Sequence, residues 1–420
     1  MAQTDANAPR TGKLARSAIT GLAAARIGMA ELGHRTRKRS AQAQAEHEAA
    51  LGRILFGALG QLRGSALKVS QLLSMHPGLL PDGVPRLWCP LLTPYTAQGA
   101  IDAPRLQAHL RFLQPHVRGL LVPGSTGDGW QLADDEVRTL LQLLMDQAPR
   151  LGLHLLVAVL KPGLDDMLAT LADLSGWLHR RAGMAASADG ASDDTELAGV
   201  LRHSGVCGFT VCPPHGAGLT QDEIATALDR LLATGLPMAL YQLPQVTGNE
   251  MAPQTVAALA DRHANLLMLK DTSGADRVAA AGFRQAFLVR GAEGGYSRHL
   301  AAAGGDYDGF LLSTANVFAP QLAALLAHLD AGQQAQADAL SARLQAVVEA
   351  VFAAAAPVPW GNAFTNANKA LDHFMAHGPQ AEAVPGPRLH SGHMLPPALI
   401  SAAGQALRQH ALMPARGYLG

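Results

Sequence analysis

The sequence predicts an α/β fold: a TIM (β/α)8 barrel with an N-terminal helical arm and a C-terminal helical extension. Two observations carry that prediction. From residue 84 onward, short β-rich apolar runs alternate with amphipathic stretches of helical period, the pattern of parallel strands joined by helical crossovers. The runs are apolar almost throughout, so both faces of the sheet are covered. Eight such units in about 245 residues suit a closed barrel better than an open, doubly wound sheet.

In order, the runs are LWCPLLTPY, GLLVPGST, LHLLVAVL, GVCGFTVCPP, PMALYQLP, NLLMLKDTS, AFLVRGAEG and YDGFLLSTAN. Between them, DDEVRTLLQLLMDQA carries acidic residues in its first turn, as does TQDEIATALDRLLATG, which is what helix N-termini favour. Residues 181–197, RAGMAASADGASDDTEL, are small, polar and acidic; they read as a surface insertion between the third helix and the fourth strand. The barrel is assigned to residues 83–330 and the extension to 331–420. Helical patterning there runs through QLAALLAHLDAGQQAQADALSARLQAVVEAVFA, NAFTNANKALDHFMAHG and PPALISAAGQALRQHAL. Residues 1–82 form a separate helical module, basic between Arg10 and Arg39, where Glu31 is the only acidic residue.

Composition narrows the function. Hydrophobic residues make up 48% of the 420 and charged residues 16%, a globular chain with ample core material. Lys+Arg and Asp+Glu both total 33, so net charge offers no argument for nucleic acid. Cys89, Cys207 and Cys212 cannot all pair and form no CxxC, which suits buried free thiols in a reducing compartment and a cytoplasmic protein. No apolar run approaches the ~18 residues of a membrane span. The 17 histidines include no HxH or HExxH, and LHSGHM holds a single HxxH, so no metal is expected.

In a barrel of this kind, chemistry sits at the C-terminal strand ends. Those ends read GSTGDG (124–129), CPPHG (212–216), YQLP (241–244), LKDTSG (269–274), GAEGG (291–295) and STAN (313–316). The period of 2 in LMLKD puts Met268 and Lys270 on one face, with Leu267, Leu269 and Asp271 on the other. A lysine directed into the barrel mouth loses hydration, its pKa falls from ~10.4, and the neutral amine becomes a nucleophile suited to Schiff-base formation.

Residues 84 to about 414 resemble the dihydrodipicolinate synthase / N-acetylneuraminate lyase family of class I aldolases. The resemblance rests on GSTGD after the second strand, YQLPQVTG after the fifth, LKDTSG on the sixth and GFLLSTANV on the eighth. It implies a carbon–carbon lyase acting on pyruvate or a related 2-oxo acid with an aldehyde, with no cofactor beyond the imine, as a homodimer or homotetramer. Lys270 would form the imine and Tyr241 would shuttle protons, with the Thr126 hydroxyl as its relay. Gly124, Ser125 and Thr126 would bind the substrate carboxylate, the glycines at 124 and 127 letting backbone approach the anion. His215 and Ser313 complete the expected substrate-binding set. Asn316 reads as a strand-end residue that holds a loop. Arg298 and His299, at the start of the expected seventh helix, would meet the distal end of a substrate.

The sequence departs from the synthase branch at two places. Val246 stands where that branch carries an arginine, and PPH leaves His215 where it carries a tyrosine that reaches a neighbouring subunit. Dihydrodipicolinate synthesis itself is therefore not expected, and an aldolase or hydratase-aldolase using another aldehyde fits better. The alternative is a non-catalytic regulatory protein that binds a 2-oxo acid on the same fold; intact Lys270, Tyr241 and Thr126 argue for catalysis. Residues 12–80 resemble the lead-in and KxGQ segment of the UbiB-type atypical kinase-like family, with Lys68, Ser70 and Gln71 at the motif positions. The kinase body has no counterpart, so no kinase activity is implied. The expected role of the arm is docking on the barrel or a partner, or contact with a membrane surface.

Overall fold

The computed structural model describes residues 84–181, 200–201 and 204–420. The N-terminal module, with Lys68, Ser70 and Gln71, lies outside the described residues, as does the insertion after Arg181.

Eight parallel strands close into a barrel in sequence order. They are β1 (Leu87–Pro90), β2 (Gly119–Val122), β3 (His154–Val159), β4 (Val206–Val211), β5 (Met238–Gln242), β6 (Leu266–Asp271), β7 (Phe287–Arg290) and β8 (Gly309–Leu311). Leu87 on β1 pairs with Phe310 on β8, which closes the ring. Each strand lies within one of the eight apolar runs. The reason is physical: a strand buried on both faces must be apolar at consecutive positions, so its run stands out from the chain on either side. At the N-terminal end of the barrel, Trp88, Leu156 and Met268 line a small pocket. A Cβ at Gly119 would lie 2.2 Å from the Trp88 ring, so glycine is the residue that lets the indole pack there.

Helices α1 (Ala103–Leu113), α2 (Asp134–Met145), α3 (Leu164–Arg181), α4 (Gln221–Leu232) and α5 (Pro253–Arg262) follow the first five strands. At the start of α4 the Thr220 hydroxyl accepts from the Glu223 N–H while the Glu223 carboxylate takes the Thr220 N–H, a reciprocal cap that satisfies two otherwise orphaned donors. The expected helices after β6 and β7 are reduced to single turns, Arg277–Ala280 and Ala301–Ala303. Gly282 (φ 75°) and Gly304 (φ 84°) follow these turns in a left-handed conformation that does not continue a helix.

The eighth barrel helix is α6 (Ala315–Asp330), and it leads into α7 (Gln334–Ala355), α8 (Ala363–His377) and α9 (Pro397–Gln409). The continuous helical pattern through residues 321–353 is thus two helices, broken at Gly332 (φ 69°). Helix α8 is buried without interruption from Thr365 to Ala376. Its charged residues are engaged internally: Lys369 Nζ reaches Asp128 Oδ2 at 2.8 Å, and the Tyr95 hydroxyl reaches the same carboxylate oxygen at 3.0 Å. Asp372 takes Arg105 and the Tyr418 hydroxyl. The C-terminal helices are therefore fastened to the loop after β2, which bears directly on the site. Among the described residues, no helix is long and apolar enough to cross a membrane.

Candidate active site

Lys270 stands at the C-terminal end of β6, 4% exposed. Its cross-strand partner is Tyr241 on β5, and Nζ lies 4.0 Å from the centre of the Tyr241 ring. Burial draws the ammonium pKa down to about 7, against the opposite influence of Cys212 and Glu293. The next residue, Asp271, is engaged away from the amine: its carboxylate accepts the Ser273 N–H at 2.9 Å and the Tyr307 hydroxyl at 3.4 Å. The alternation of LMLKD is thus realised with the amine toward the cavity.

Tyr241 is buried, and burial raises its phenol pKa while the neighbouring Ser125 and Thr272 hydroxyls lower it. Ser125 is thus a neighbour of the Tyr241 phenol, and Thr126, the expected relay, lines the same cavity. The short 3-10 turn Ser125–Gly127 rotates consecutive side chains to different directions, which a reading by motif order does not capture. Ser125 Oγ also accepts the Trp130 indole N–H at 2.9 Å, leaving its own proton free for Tyr241 or a ligand. The Thr126 side chain lines the cavity, while its carbonyl accepts from Thr365 Oγ1 at 3.1 Å. Thr272 Oγ1 is buried and forms no hydrogen bond among the described residues.

The loop glycines have a packing role. A Cβ at Gly127 would sit 2.2 Å from the Leu91 carbonyl oxygen, and one at Gly124 would sit 3.0 Å from Pro90 Cβ. Both positions let the loop pack on the end of β1. Gly124 lies behind the cavity wall, where its carbonyl accepts the Gly127 and Gly129 N–H groups. Helix α8 holds the same loop from outside, with Asn362 Nδ2 and Thr365 Oγ1 both 3.2 Å from the Ser125 carbonyl.

A cavity of about 500 Å³ opens above Lys270. Its reactive side is formed by Lys270, Tyr241, Ser125, Thr126, Thr272 and Ser313. Its outer side is apolar, formed by Trp130, Leu243, Val246, Phe352 and Phe364. Ser313 does not face a ligand with a free hydroxyl: Oγ donates to Glu293 Oε1 at 2.7 Å and accepts from Asn368 Nδ2 at 3.0 Å. Glu293 takes three further donors, the Thr314 N–H, the Thr314 hydroxyl and the Tyr296 hydroxyl, so both carboxylate oxygens are held in place.

His215 is exposed and is not part of the cavity wall; its ring packs on Trp130 with centroids 4.9 Å apart, one side chain removed from the cavity. Arg298 and His299 also lie outside the wall. The helix they were expected to open is reduced to the turn Ala301–Ala303, and His299 Nδ1 faces Asp276 Oδ2 at 3.9 Å. Asn316 ties strand ends together, its side chain bonding the Leu92 N–H and the Pro90 and Ser313 carbonyls. Trp130, Thr272, Glu293, Phe352 and Phe364 belong to the site without having been assigned to it from sequence. Trp130 follows GSTGDG directly and Glu293 lies within GAEGG, so both were adjacent to visible signals; Phe352 and Phe364 arrive from α7 and α8 and carried none. No group of three or more His, Cys, Asp or Glu side chains among the described residues is arranged to hold a metal ion.

A family model, the Dihydrodipicolinate synthetase family, matches residues 185–367. The matched stretch runs from the insertion after α3 through strands β4 to β8 into α8, so it carries Tyr241, Lys270 and Ser313. A 4-hydroxy-tetrahydrodipicolinate synthase from Parasynechococcus marenigrum is 28% identical over 289 residues, covering 67% of this chain and 85% of the relative. The corresponding synthase from Acidothermus cellulolyticus is 27% identical over 202 residues; the match spans 48% of this chain and little more than half, 56%, of the relative. Among solved structures, a prophage protein of the dihydrodipicolinic acid synthase family from E. coli K12, in complex with pyruvate, has the same fold. It is 20% identical with a TM-score of 0.55, over 78% of this chain and 98% of that one.

Proposed function

We propose that the protein is a class I aldolase in which Lys270 forms an imine with the C2 carbonyl of pyruvate or a related 2-oxo acid. The observation that carries this reading is the buried Lys270 amine, drawn to about 7 and set against the Tyr241 ring at the base of a cavity. At neutral pH a substantial fraction of that amine is unprotonated, whereas an exposed lysine holds its proton. The backbone N–H groups of Ser125 and Thr126 take no backbone acceptor among the described residues and suit the substrate carboxylate.

The steps follow from the groups present. The amine adds to C2, and its proton moves to oxygen to give a carbinolamine. Tyr241 protonates that hydroxyl, water leaves, and the iminium remains. The tyrosinate then removes a proton from C3, giving an enamine and restoring the phenol. A phenol raised by burial is a reluctant acid, but its conjugate base is a strong one; Ser125 and Thr272 beside it moderate the first cost. The imine is itself the electron sink, so no further cofactor is required by this sequence. Dihydrodipicolinate synthesis is disfavoured, because Val246 offers no cation to a second carboxylate.

Exchange of the pyruvate methyl protons for deuterium, followed by proton NMR, tests this reading without knowledge of the aldehyde. Wild-type protein should catalyse the exchange, Lys270→Ala should not, and Tyr241→Phe should be slowed by about 10²–10⁴-fold, the usual worth of a general acid–base group. Exchange that survives in Lys270→Ala would refute it.

A further inference from the structure

Resting on that reading, we propose that the aldehyde partner is uncharged and carries an aromatic or branched apolar body. The charge inventory of the cavity decides the first half. Among the described residues, Lys270 is the one cation in its wall and Glu293 the one anion. Lys270 is consumed by the imine, and the substrate carboxylate takes the Ser125 and Thr126 N–H groups. A carboxylate or phosphate on the aldehyde would therefore be desolvated near Glu293 with no cation to meet it. Two of the three amides in the wall are already engaged, Gln245 Nε2 donating to the Thr272 carbonyl and Asn362 capping α8; Gln131 is the third, and one amide is a sparse partner set for a polyhydroxylated chain.

The outer wall decides the second half. Phe352 and Phe364 meet edge to face with centroids 5.5 Å apart, a geometry aromatic rings favour. Val246 and Phe364 remain 41% and 42% exposed, apolar surface directed at the space an aldehyde substituent would fill. Trp130 and Leu243 complete that wall. A volume of about 500 Å³ is within the range of small-molecule sites and holds a 2-oxo acid together with a benzaldehyde-sized partner. The enamine C3 attacks the aldehyde carbon, forming the carbon–carbon bond. The carbonyl oxygen takes the Tyr241 proton, and water hydrolyses the iminium, returning a proton to the tyrosinate and releasing a 4-hydroxy-2-oxo acid.

The test uses the full chain with pyruvate and three aldehydes: benzaldehyde, succinic semialdehyde and glyceraldehyde 3-phosphate. Methyl exchange is followed in the same preparations. The expected kcat/KM for benzaldehyde exceeds that of either charged aldehyde by about 10-fold or more, and Phe364→Ser lowers it by about 10-fold, the order of one lost apolar contact. Val246→Arg should shift the preference toward succinic semialdehyde. A charged aldehyde preferred by the wild type, or benzaldehyde unreacted while methyl exchange proceeds, overturns this inference and leaves the aldolase reading intact. Absence of methyl exchange overturns both.

Discussion

Gly291→Ala is the most instructive perturbation of the site. Gly291 follows β7 beside Lys270, and its φ does not lie in the left-handed region, so alanine is conformationally admissible and the effect is purely steric. The added Cβ would lie 2.8 Å from Lys270 Cε and 2.4 Å from Thr272 Oγ1. Carbon atoms in contact prefer ~3.5–4.0 Å, so Cε must retreat by roughly 1 Å or the β7 end must shift. The backbone is poorly placed to yield, because the Gly291 N–H donates to the Asp271 carbonyl at 2.7 Å. A displacement of about 1 Å at a reacting centre costs on the order of 10²-fold in rate, while overpacking of this kind costs about 1–3 kcal/mol in stability. The assay pairs the pyruvate methyl-exchange rate with a urea unfolding curve. The expected result is a rate loss near 10²-fold in a protein that still unfolds cooperatively. A Gly291→Ala protein exchanging within a factor of two of wild type would refute the placement of the reactive amine against this backbone.

Three further outcomes follow from the same structure. The exchange rate should rise with pH through about 7, the value to which burial draws Lys270, because only the neutral amine adds to the carbonyl; a rise centred near 10 would contradict the burial. Lys270→Met should stabilise the protein. The folded pKa of about 7 lies below the usual 10.5, so the unfolded chain binds more protons between those values and wild-type stability climbs across that window. At pH 7 most of the penalty is present, and its removal is worth roughly 3–5 kcal/mol at 1.36 kcal/mol per pKa unit, read from urea unfolding at pH 7 and again at pH 10, where the advantage should shrink. Lys369→Met should instead destabilise by about 3–5 kcal/mol, because Asp128 is left buried without its cation, and Asp128→Asn in the same chain should recover part of the loss.

The barrel was legible because its strands are buried on both faces, which writes each one as a short apolar run. Lys270 was legible for the converse reason, a charge at the end of such a run. The two shortened crossovers were not, since RVAA and LAAA continue a helical composition and only the backbone at Gly282 and Gly304 ends them. The order of Ser125 and Thr126 around Tyr241 depends on a 3-10 turn whose side-chain directions no motif states. His215 looked close to the mouth because it follows β4, yet its ring packs at a tilt against Trp130 and does not line the cavity. Helix α8 defeats periodicity altogether: Asn366, Asn368, Lys369, Asp372 and His373 are all buried, so polar residues there mark internal bonding and not a solvent face. Phe352 and Phe364 lie in helices about 80 and 95 residues beyond Lys270, and only tertiary packing of the extension brings them to the cavity.

The most direct measurement is the location of a borohydride-reduced pyruvyl adduct. Two lysines among the described residues are deeply buried, Lys270 and Lys369, and both are drawn down by burial. Only Lys270 lines the 500 Å³ cavity; Lys369 is occupied by Asp128. Incubation with pyruvate, reduction, digestion and peptide sequencing by mass spectrometry should place one adduct on Lys270 and none on Lys369. A label on another lysine, or none on Lys270 at saturating pyruvate, would contradict the account.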